Sequence, residues 1–389
     1  MKRILYLSFY FEPDLCAGSF RNSPLAKELA TQLEGQGEVD VITTMPNRYS
    51  TFQVQAPSYE KRGNMSVYRV TIPPHRNGFS DQVRSFTAYF STAQKIVKDK
   101  KYHLVFASSS RLFTGYLGYR IAKELQIPLY LDIRDIFTDT MQDVLKSSAA
   151  KLGILPFLKL VEKKTFNAAS QINLISEGFK SYFSRYPNPH YSYFPNGIDP
   201  DFLNLSSSVI RENNYPMVIT YAGNIGEGQG LHRIIPQAAK KLGKGFQFLV
   251  IGDGGAKEKL LDEIKVQQVK NVEIKNPIPR KELIEFYSKS DFLFIHLNDY
   301  NAFKKVLPSK VFELGAYDKP LIAGVGGFAH QFIEKNIPNR ILFLPGDVND
   351  MVRQLRDYDY HTGFRKEFIE KFKRERINRE MAGSILQLL

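Results

Sequence analysis

The glycine-rich segment Gly223–Gly230 is the first place in the sequence where chemistry is expected. It holds four glycines in eight positions, between a predicted strand and a predicted helix. Because glycine has no Cβ atom, such a loop can approach a bound molecule more closely than other loops can. A flexible connector seldom needs so many glycines, so we expect this loop to contact a ligand.

Two other glycine segments also follow predicted strands. Gly252–Gly255 lies between the strand Phe246–Ile251 and a helix, where free amides can bind a phosphate, although a structural turn has the same pattern. Near the N-terminus, Gly18 precedes the predicted helix Ser23–Leu33, and Arg21 lies three residues later. We expect Gly18 to face a phosphate and Arg21 to bind it; the alternative is a surface position for Arg21.

The segment Leu307–Glu313 opens a predicted helix after a polar loop. Ser309 has the side chain of a helix cap, and Lys310 adds a positive charge where the helix dipole already favours an anion. Glu313 lies three residues after Lys310 on the same helical face, where its carboxylate could accept paired hydrogen bonds from a sugar diol. A solvated capping turn is the alternative interpretation.

Charged residues also end the apolar strand Leu129–Ile133, as Asp132, Arg134 and Asp135. Charges at the carboxyl end of a buried parallel strand are costly unless they face a cleft or pair with each other, so both interpretations stay open. No histidine or cysteine pattern predicts a metal site. The chain also lacks a P-loop, a nucleophile elbow and a dinucleotide fingerprint in its first βαβ unit.

The chain pattern predicts a scaffold that brings these segments to the edge of a sheet. Apolar runs of strand length alternate with longer amphipathic segments, which is typical of βαβ units and parallel sheets. The predicted strands are Ile4–Phe9, Val39–Thr43, Ser66–Val70, Leu104–Ala107, Leu129–Ile133, Gln171–Ile175, Tyr191–Phe194, Val218–Tyr221, Phe246–Ile251, Val272–Ile274, Phe292–Ile295, Leu321–Ala323 and Ile341–Leu344. The predicted helices include Ser23–Leu33, Gly115–Leu125, Leu231–Leu242, Ala256–Gln268, Arg280–Ser288, Lys310–Ala316 and His330–Lys335.

A segment rich in proline, serine and asparagine divides this pattern into two halves. We predict an α/β protein with two Rossmann-like domains whose parallel sheets face each other across a deep cleft, where ligands of open α/β sheets bind. The predicted N-terminal domain covers residues 1–195, the linker 196–215 and the C-terminal domain 216–364. Residues 365–389 are a predicted helical tail that packs back toward the N-terminal domain.

The composition excludes several classes of protein. With 389 residues, 43% hydrophobic and 24% charged, the chain has the balance of two globular domains rather than of a disordered or coiled-coil protein. Its one cysteine, Cys16, cannot form an internal disulfide, and no apolar run reaches the length of a membrane span. The net charge of +13 favours an anionic partner such as nucleic acid, anionic lipid or a phosphorylated small molecule.

Taken together, these segments resemble family 4 of the retaining glycosyltransferases, which have the GT-B fold. The matching pieces, in chain order, are Phe194–Asp199, Gly223–Gly230, Val250–Gly254, Pro308–Glu313 and Lys319–Ala323. The first half is similar more loosely, through Gly18, Asp132–Asp135 and Ile175–Gly178. The chain most resembles the branch that makes bacterial O-antigen and capsule sugars, which includes the fucosamine transferases.

The resemblance implies that the C-terminal domain binds a UDP-sugar donor and the N-terminal domain binds the acceptor. Glu313 matches the second glutamate of the family's paired-glutamate motif, which implies that it binds the donor ribose; Lys305 stands where the first glutamate is expected. Asn224 and Gln229 stand where many members have an arginine and a lysine that hold the diphosphate. Lys310 is therefore expected to supply that charge.

The donor-binding residues implied in this way are Gly18, Arg21, Gly223, Asn224, Gly226, Gln229, Gly252, Gly254, Pro308, Ser309, Lys310 and Glu313. The catalytic residues are Lys310, Arg134 and Asp135, with Arg134 near the place of the family's N-terminal histidine. A retaining transfer without an obvious nucleophile implies a front-face reaction, in which the leaving diphosphate takes the acceptor proton. Neither a metal ion nor another cofactor is expected.

The activity expected from this resemblance is transfer of a hexosyl or N-acetylhexosaminyl group to a lipid-linked saccharide. The setting would be O-antigen or capsule synthesis at the cytoplasmic face of the cell membrane, without nucleic acid as a partner. One alternative is a sugar-nucleotide epimerase of similar shape, which would convert the donor without any acceptor. Another is a non-catalytic nucleotide-binding subunit, because Lys305, Asn224 and Gln229 depart from the family's pattern.

Residues 146–185 predict contact with a membrane surface. They contain seven basic and two acidic side chains, beside an apolar surface broken at Pro156. Basic groups next to an apolar face suit anionic lipid headgroups. The alternative is a helix that packs on the N-terminal sheet and leaves its lysines in solvent.

Overall fold

The computed structural model describes the chain as two compact α/β units. The described residues are 1–14, 16–47, 55–73, 79–109, 111–144, 148–203 and 216–389. The first unit combines Met1–Asn196 with Glu375–Leu389, and the second unit is Gly197–Arg374. Residues 204–215, which make up most of the predicted linker, lie outside the described residues.

The first unit is built on an eight-stranded sheet. Its strands are β1 (Lys2–Ser8), β2 (Gly37–Thr44), β3 (Tyr59–Arg62), β4 (Met65–Val70), β5 (Leu104–Ser109), β6 (Leu129–Ile133), β7 (Gln171–Leu174) and β8 (His190–Ser192). Their order is β3-β4-β2-β1-β5-β6-β7-β8, and only β3 and β4 pair in antiparallel fashion among these neighbours. Strand β3 was not predicted from the sequence, because the mainly exposed, charged residues of this strand lack the apolar run of a buried strand.

Helices connect most of these strands. They are α1 (Ala17–Gln32), α2 (Phe79–Val97), α3 (Leu112–Leu125), α4 (Phe137–Val144), α5 (Ser148–Asn167) and α6 (Lys180–Phe183). Helix α1 begins six residues before the predicted start at Ser23, and in its first turns the side-chain amide of Asn22 donates to the Gly18 carbonyl at 2.9 Å. Helix α5 continues through Pro156.

A buried ion pair joins α1 to the centre of the first sheet. Arg21 on α1 is 1% exposed and donates to both carboxylate oxygens of Asp132 on β6, at 2.7 and 2.8 Å. It also donates to the carbonyls of Phe194 and Pro195, both at 2.9 Å, while Asn173 on β7 donates to Asp132 at 2.8 Å. Burial alone would lower the pKa of Arg21, but the Asp132 carboxylate raises it above its usual value.

The second unit is built on a six-stranded, entirely parallel sheet. Its strands are β9 (Met217–Asn224), β10 (Phe246–Asp253), β11 (Val272–Lys275), β12 (Phe292–His296), β13 (Leu321–Gly324) and β14 (Arg340–Phe343). Their order is β11-β10-β9-β12-β13-β14. Numbered within this unit, that is the Rossmann order 3-2-1-4-5-6, whose topological switch point lies between β9 and β12. Ligands of such sheets bind outside the carboxyl ends of the strands at this point.

Helices of the second unit cover both faces of this sheet, and a last helix, α14 (Arg374–Leu386), follows them in the chain. Those of the second unit are α7 (Leu231–Leu242), α8 (Lys257–Val266), α9 (Arg280–Lys289), α10 (Lys310–Gly315), α11 (Gly327–Asn336), α12 (Val348–Arg356) and α13 (Lys366–Phe372). The predicted tail, residues 365–389, is thus divided: α13 lies in the second unit and nearly all of α14 in the first. Met381 and Ile385 of α14 are buried in the same core as Tyr6 of β1.

The first unit adds these tail residues because the chain enters and leaves the second unit along neighbouring segments. Within the second unit, the Ile198 amide donates to the Phe372 carbonyl at 2.8 Å, and the Arg374 amide donates to the Ile198 carbonyl at 3.0 Å. Gly197 lies so close to Arg374 that a Cβ atom there would be 2.6 Å from its Cα. The second unit therefore continues to Arg374, ten residues beyond the predicted boundary at 364.

Breaking the buried pair should destabilise the first unit strongly. Asp132→Asn leaves the Arg21 charge buried without its carboxylate, which costs about 3–5 kcal/mol in comparable sites. The measurement is the free energy of unfolding from urea titration. As a control, Arg62→Gln removes the partly exposed pairs of Arg62 with Glu12 and Glu60 and should cost about 1 kcal/mol or less. Equal, small losses in both variants would contradict a stabilising role for the buried pair.

Candidate functional site

The carboxyl ends of β9 and β10 form a compact glycine corner in the second unit. Both Gly252 and Gly254 have positive φ angles, of 155° and 154°. A Cβ atom on Gly252 would lie 1.9 Å from the Gly223 carbonyl oxygen, and one on Gly254 would lie 2.6 Å from the Ile225 carbonyl oxygen. Glycine is therefore required at both positions, because only it allows these strand ends to approach so closely.

The loop after β9, Gly223–Gly230, is closed by its own polar side chains. The Asn224 side-chain amide donates to the Gln229 side-chain oxygen at 2.9 Å. The same oxygen accepts from the Gly226 amide at 3.2 Å. The two side chains at the positions of the family's arginine and lysine therefore bond to each other. The loop itself is only partly buried from Gly226 to Gln229.

His296, at the end of β12, fixes the same loop from the other side of the switch point. The side chain is 1% exposed; its Nδ1 lies 2.6 Å from the Gln229 carbonyl, and its Nε2 accepts from the Gly346 amide at 3.0 Å. These partners define the tautomer, with the proton on Nδ1. Burial lowers the pKa of His296 to about 4, so the ring is neutral at physiological pH.

A second polar cluster lies at α10. Lys310 donates to both carboxylate oxygens of Glu313, at 3.0 and 3.2 Å, and its Nζ lies 3.4 Å from the Tyr287 hydroxyl. Tyr287 is fully buried, and burial followed by the Glu313 charge raises its pKa well above the usual value. Lys310 and Glu313 are both partly exposed. The pair therefore presents a carboxylate and an ammonium group side by side.

Ser309 does not cap α10, so that prediction is wrong. Its backbone is already helical, with φ −57° and ψ −30°, and its side chain makes no capping hydrogen bond. Capping residues have an extended backbone, which aims their oxygen at the first free amides. Pro308, one residue earlier, contributes its carbonyl as the acceptor for the Val311 amide at 3.1 Å.

The connection between β12 and α10 links the two clusters of the second unit. Asn298 and Phe303 lie in this connection, and both contact the glycine loop. The Asn298 side-chain amide donates to the Glu227 carbonyl at 3.0 Å, and a Cβ atom on Gly228 would lie 2.9 Å from the Phe303 ring. The sites predicted around Gly223–Gly230 and around Lys310 are thus joined by one segment of the chain.

In the first unit, Gly18 and Arg134 lie together. A Cβ atom on Gly18 would be 3.0 Å from an Arg134 terminal nitrogen. The Nε atom of Arg134 is buried, and the guanidinium has no hydrogen-bond or ion-pair partner among the residues that the structure describes. Burial lowers its pKa, opposed by Asp132 and reinforced by Arg21. Neither predicted internal ion pair of Arg134 forms, because Asp132 is bound to Arg21.

Asp135 follows Arg134 and is held by Thr140. The Thr140 hydroxyl donates to the two carboxylate oxygens at 3.3 and 3.4 Å. Burial raises the pKa of Asp135 above its usual value, and the hydrogen bonds from Thr140 and the Ile136 amide oppose that shift. The carboxyl end of β6 therefore carries an arginine and a carboxyl group, and the surroundings of both disfavour their charged forms.

The prediction that Arg21 binds a phosphate is wrong, because its side chain is buried and its donors are already used. Its guanidinium is buried and committed to Asp132 and to the carbonyls of Phe194 and Pro195. Sequence position alone could not reveal this, because Asp132 lies 111 residues away. The cation that lies beside Gly18 is Arg134 instead.

Three site residues were not predicted from the sequence: His296, Asn298 and Tyr287. The sequence carries a signal for His296 and Asn298, because they are polar residues at the carboxyl end of an apolar strand. The same pattern predicted Asp132 and Arg134 as candidate site residues. Tyr287 gives no such signal from its place within a helix. Within the described ranges, no cluster of three histidine, cysteine, aspartate or glutamate residues could hold a metal ion, and no helix is long and apolar enough to cross a membrane.

Comparison with known proteins agrees with this geometry. Residues 206–375 match the family model of glycosyl transferases group 1. No curated protein matches the sequence significantly. Among solved structures, Anabaena HepE in complex with UDP-glucose is 15% identical, with a TM-score of 0.69 and full coverage of both chains.

Two other solved structures are similar over nearly their whole length. The lipopolysaccharide outer core galactosyltransferase WaaB is 13% identical, with a TM-score of 0.62 and full coverage of both chains. A trehalose 6-phosphate synthase from Burkholderia multivorans is 10% identical, with a TM-score of 0.69, over 100% of this chain and 96% of the other. This likeness confirms the predicted α/β class and the GT-B fold.

The neutral state of His296 predicts how stability depends on pH. The unfolded histidine binds a proton below its usual pKa of 6.5, but the folded one does so only near 4. The contribution of the neutral ring to the free energy of unfolding is therefore fully present above pH 6.5. It is lost as the pH falls to 4, by about 3 kcal/mol in total. His296→Gln should lose less stability than the wild type over this window in urea unfolding.

A second histidine of the same unit provides the control for this measurement. The His330 Nδ1 lies 3.2 Å from the Val325 carbonyl, away from the glycine loop. His330→Gln should keep the wild-type dependence on pH. If His296→Gln showed the same slope as the wild type between pH 6.5 and 4, His296 would not be the group that titrates.

Proposed function

We propose that this chain, whose residues 206–375 form a glycosyltransferase group 1 domain, transfers a hexosyl or N-acetylhexosaminyl group from a UDP-sugar with retention of configuration. One observation supports the donor site above all: Glu313 presents a partly exposed carboxylate, held by Lys310, on α10, the helix that follows the connection in contact with the glycine loop. A carboxylate with free lone pairs can accept both hydroxyls of a ribose.

The group 1 domain would bind the donor through two sets of groups. Glu313 would accept hydrogen bonds from the ribose, while Lys310 beside it would attract the negative diphosphate. The glycine corner at Gly223, Gly252 and Gly254 would let the backbone approach the phosphates. The relative HepE was crystallised with UDP-glucose, and that is the reason for choosing uridine as the base.

The reaction would proceed on one face of the sugar. The bond between the anomeric carbon and the diphosphate oxygen breaks, and a bond to the acceptor oxygen forms on the same side. The acceptor hydroxyl gives its proton to the departing diphosphate, which leaves as UDP. Such a transfer depends on positioning and on cations that stabilise the growing charge, so no metal ion or other cofactor is part of the proposal.

In the first unit, Arg134 and Asp135 are the proposed catalytic residues. Arg134 is partly buried and its guanidinium has no partner among the described residues; its buried Nε atom is left without an acceptor, which is costly unless a ligand supplies one. Asp135 has a carboxyl group whose pKa burial raises, and it could orient an acceptor hydroxyl. Their position at the carboxyl end of β6 is where ligands of parallel sheets bind.

The acceptor in this proposal is a saccharide linked to a membrane lipid, in the synthesis of O-antigen or capsule at the cytoplasmic face. Helix α5 supports membrane contact: its Leu152, Phe157 and Leu160 side chains are 79%, 55% and 51% exposed. A groove of about 700 Å³ beside α5 is lined by Lys123, Lys163 and Lys164 together with polar and apolar side chains, and no acidic residue lines it among those that the structure describes. Such a surface suits anionic headgroups.

The donor site is tested by Glu313→Ala and nucleotide binding. The variant should weaken UDP binding by about 1.5–3 kcal/mol, the range for hydrogen bonds to a charged group, as measured by calorimetry or by protection against thermal unfolding. Glu282→Ala, on the exposed face of α9, is the matched control and should bind UDP normally. Unchanged UDP affinity in a folded Glu313→Ala variant would overturn the ribose assignment.

Membrane contact is tested by co-sedimentation with vesicles. The chain should bind vesicles that contain anionic lipid and lose this binding in high salt, because screening weakens the attraction of exposed lysines. Changing Lys159, Lys163 and Lys164 to Glu should abolish binding. The same charge change at Lys240, Lys244 and Lys265, exposed lysines of the second unit, should not. Equal binding to neutral vesicles would contradict the proposal.

A further inference from the structure

The glycine loop has no cation of its own with which to hold a diphosphate. Asn224 and Gln229 are neutral and bond to each other, and Lys310 is paired with Glu313. A diphosphate is bound best by several donors, so further donors beside Lys310 are needed. The loop backbone offers such donors, because all of its carbonyls from Asn224 to Gly230 accept hydrogen bonds within the protein, whereas two of its amides donate none to the described residues.

Every carbonyl from Asn224 to Gly230 accepts a hydrogen bond from the protein. The first three are bound by the Tyr221 hydroxyl, the Ala256 amide, and the amides of Gln229 and Gly230. The last, at Gly230, is bound by the Arg233 amide. This leaves the three carbonyls in the middle of the loop, which face the end of β12.

His296 and Asn298 bind those three carbonyls. The Asn298 side-chain amide donates to Glu227 at 3.0 Å, and its backbone amide donates to Gly228 at 2.8 Å. The His296 Nδ1 donates to Gln229 at 2.6 Å. Two polar residues at the end of β12, separated only by Leu297, thus direct the negative ends of three peptide groups inward.

The Gly228 amide shares its peptide group with the Glu227 carbonyl, which Asn298 holds. The Glu227 amide shares its peptide group with the Gly226 carbonyl, which the Gln229 and Gly230 amides hold. Neither the Gly228 nor the Glu227 amide donates to any acceptor in the described part of the chain, and both residues are partly exposed. The Glu227 carboxylate would oppose an anion, but it is paired with Lys259, whose hydrogen bond lowers its pKa. Peptide amides that point out of a loop with bound carbonyls form an anion-binding concavity.

We propose that Asn298 and His296 are positioning residues that fix the loop so that its Glu227 and Gly228 amides face the donor diphosphate: Asn298 holds the peptide group of the Gly228 amide, and His296 anchors the end of the loop at the Gln229 carbonyl. This rests on the proposed function and deepens it: the diphosphate is bound by oriented amides where related sequences use charged side chains. A neutral donor group is required at His296, because a cationic ring would need burial of its charge. The flanking Phe294 and Phe343 rings stack on the imidazole, with centroids 6.2 Å away in both cases, and keep it in place.

The experiment compares UDP with uridine, because only UDP carries the phosphates. In His296→Leu, the Gln229 carbonyl loses its donor and the loop can turn. We expect UDP affinity to fall about tenfold or more, the effect of losing one to two hydrogen bonds, while uridine affinity changes less than about twofold. His296→Gln can donate to Gln229 and accept from Gly346, and it should restore UDP affinity to near the wild-type value.

Two further variants make the result decisive. His330→Leu removes a histidine that contacts the Val325 carbonyl outside the loop, and it should bind both ligands like the wild type. If His296→Leu does not fold by circular dichroism, Asn298→Ala takes its place with the same expected loss of UDP affinity alone.

The outcomes separate this proposal from the one it rests on. Equal losses for UDP and uridine, or unchanged UDP affinity in folded variants at both positions, would overturn the positioning role. A wild-type chain that binds neither UDP nor uridine would instead overturn the UDP-sugar function, and the positioning role with it. A loss confined to UDP, with rescue by His296→Gln, supports the proposal.

Discussion

The close approach of β9 and β10 at Gly223 and Gly252 is the constraint on which the donor site depends. No side chain fits between these strand ends, so the loop after β9 must rise over the sheet edge at this point. There it meets β12, its neighbour across the switch point of the Rossmann order. His296 and Asn298 can bind the loop only because the topology makes these two strands adjacent.

Much of the fold could be predicted because buried parallel strands leave a clear apolar pattern. Strand β6 was predicted with its observed bounds, and helix α7 likewise. Strand β3 and the start of α1 were not, since a charged edge strand has no apolar run and the first turn of α1 reads as a glycine loop. Local sequence patterns therefore predict the buried strands and helices. They fail for elements whose structure depends on contacts with distant residues.

The site was harder to predict because its key bonds join distant residues or depend on backbone geometry. Glu313 and Lys310 lie together as their spacing indicates, but the helical backbone of Ser309 removes the cap that its residue type favours. Asn224 and Gln229 were recognised as departures from a family pattern. That these two side chains bond to each other follows from the fold of the loop and not from their types.

The two arginines of the first unit show how one residue type serves opposite purposes. Arg21 is buried with a bidentate carboxylate, so its charge strengthens the scaffold. Arg134 lies near it, and within the described residues its guanidinium has no such partner. Evolution commonly accepts a loss of stability at positions that serve binding, and the contrast between these neighbours fits that general trade.

The division of the first unit into two chain segments bears on the order of folding. Residues 375–389 follow the whole second unit in the chain, yet Met381 and Ile385 belong to the core around Tyr6. During synthesis, residues 197–374 are therefore complete before the first unit can close its core. Until then, the part of this core that α14 covers stays open, although α1 already packs against the rest, and such open apolar surfaces are where aggregation begins and chaperones act. The second unit, in contrast, is continuous in sequence and can fold as soon as it has been synthesised.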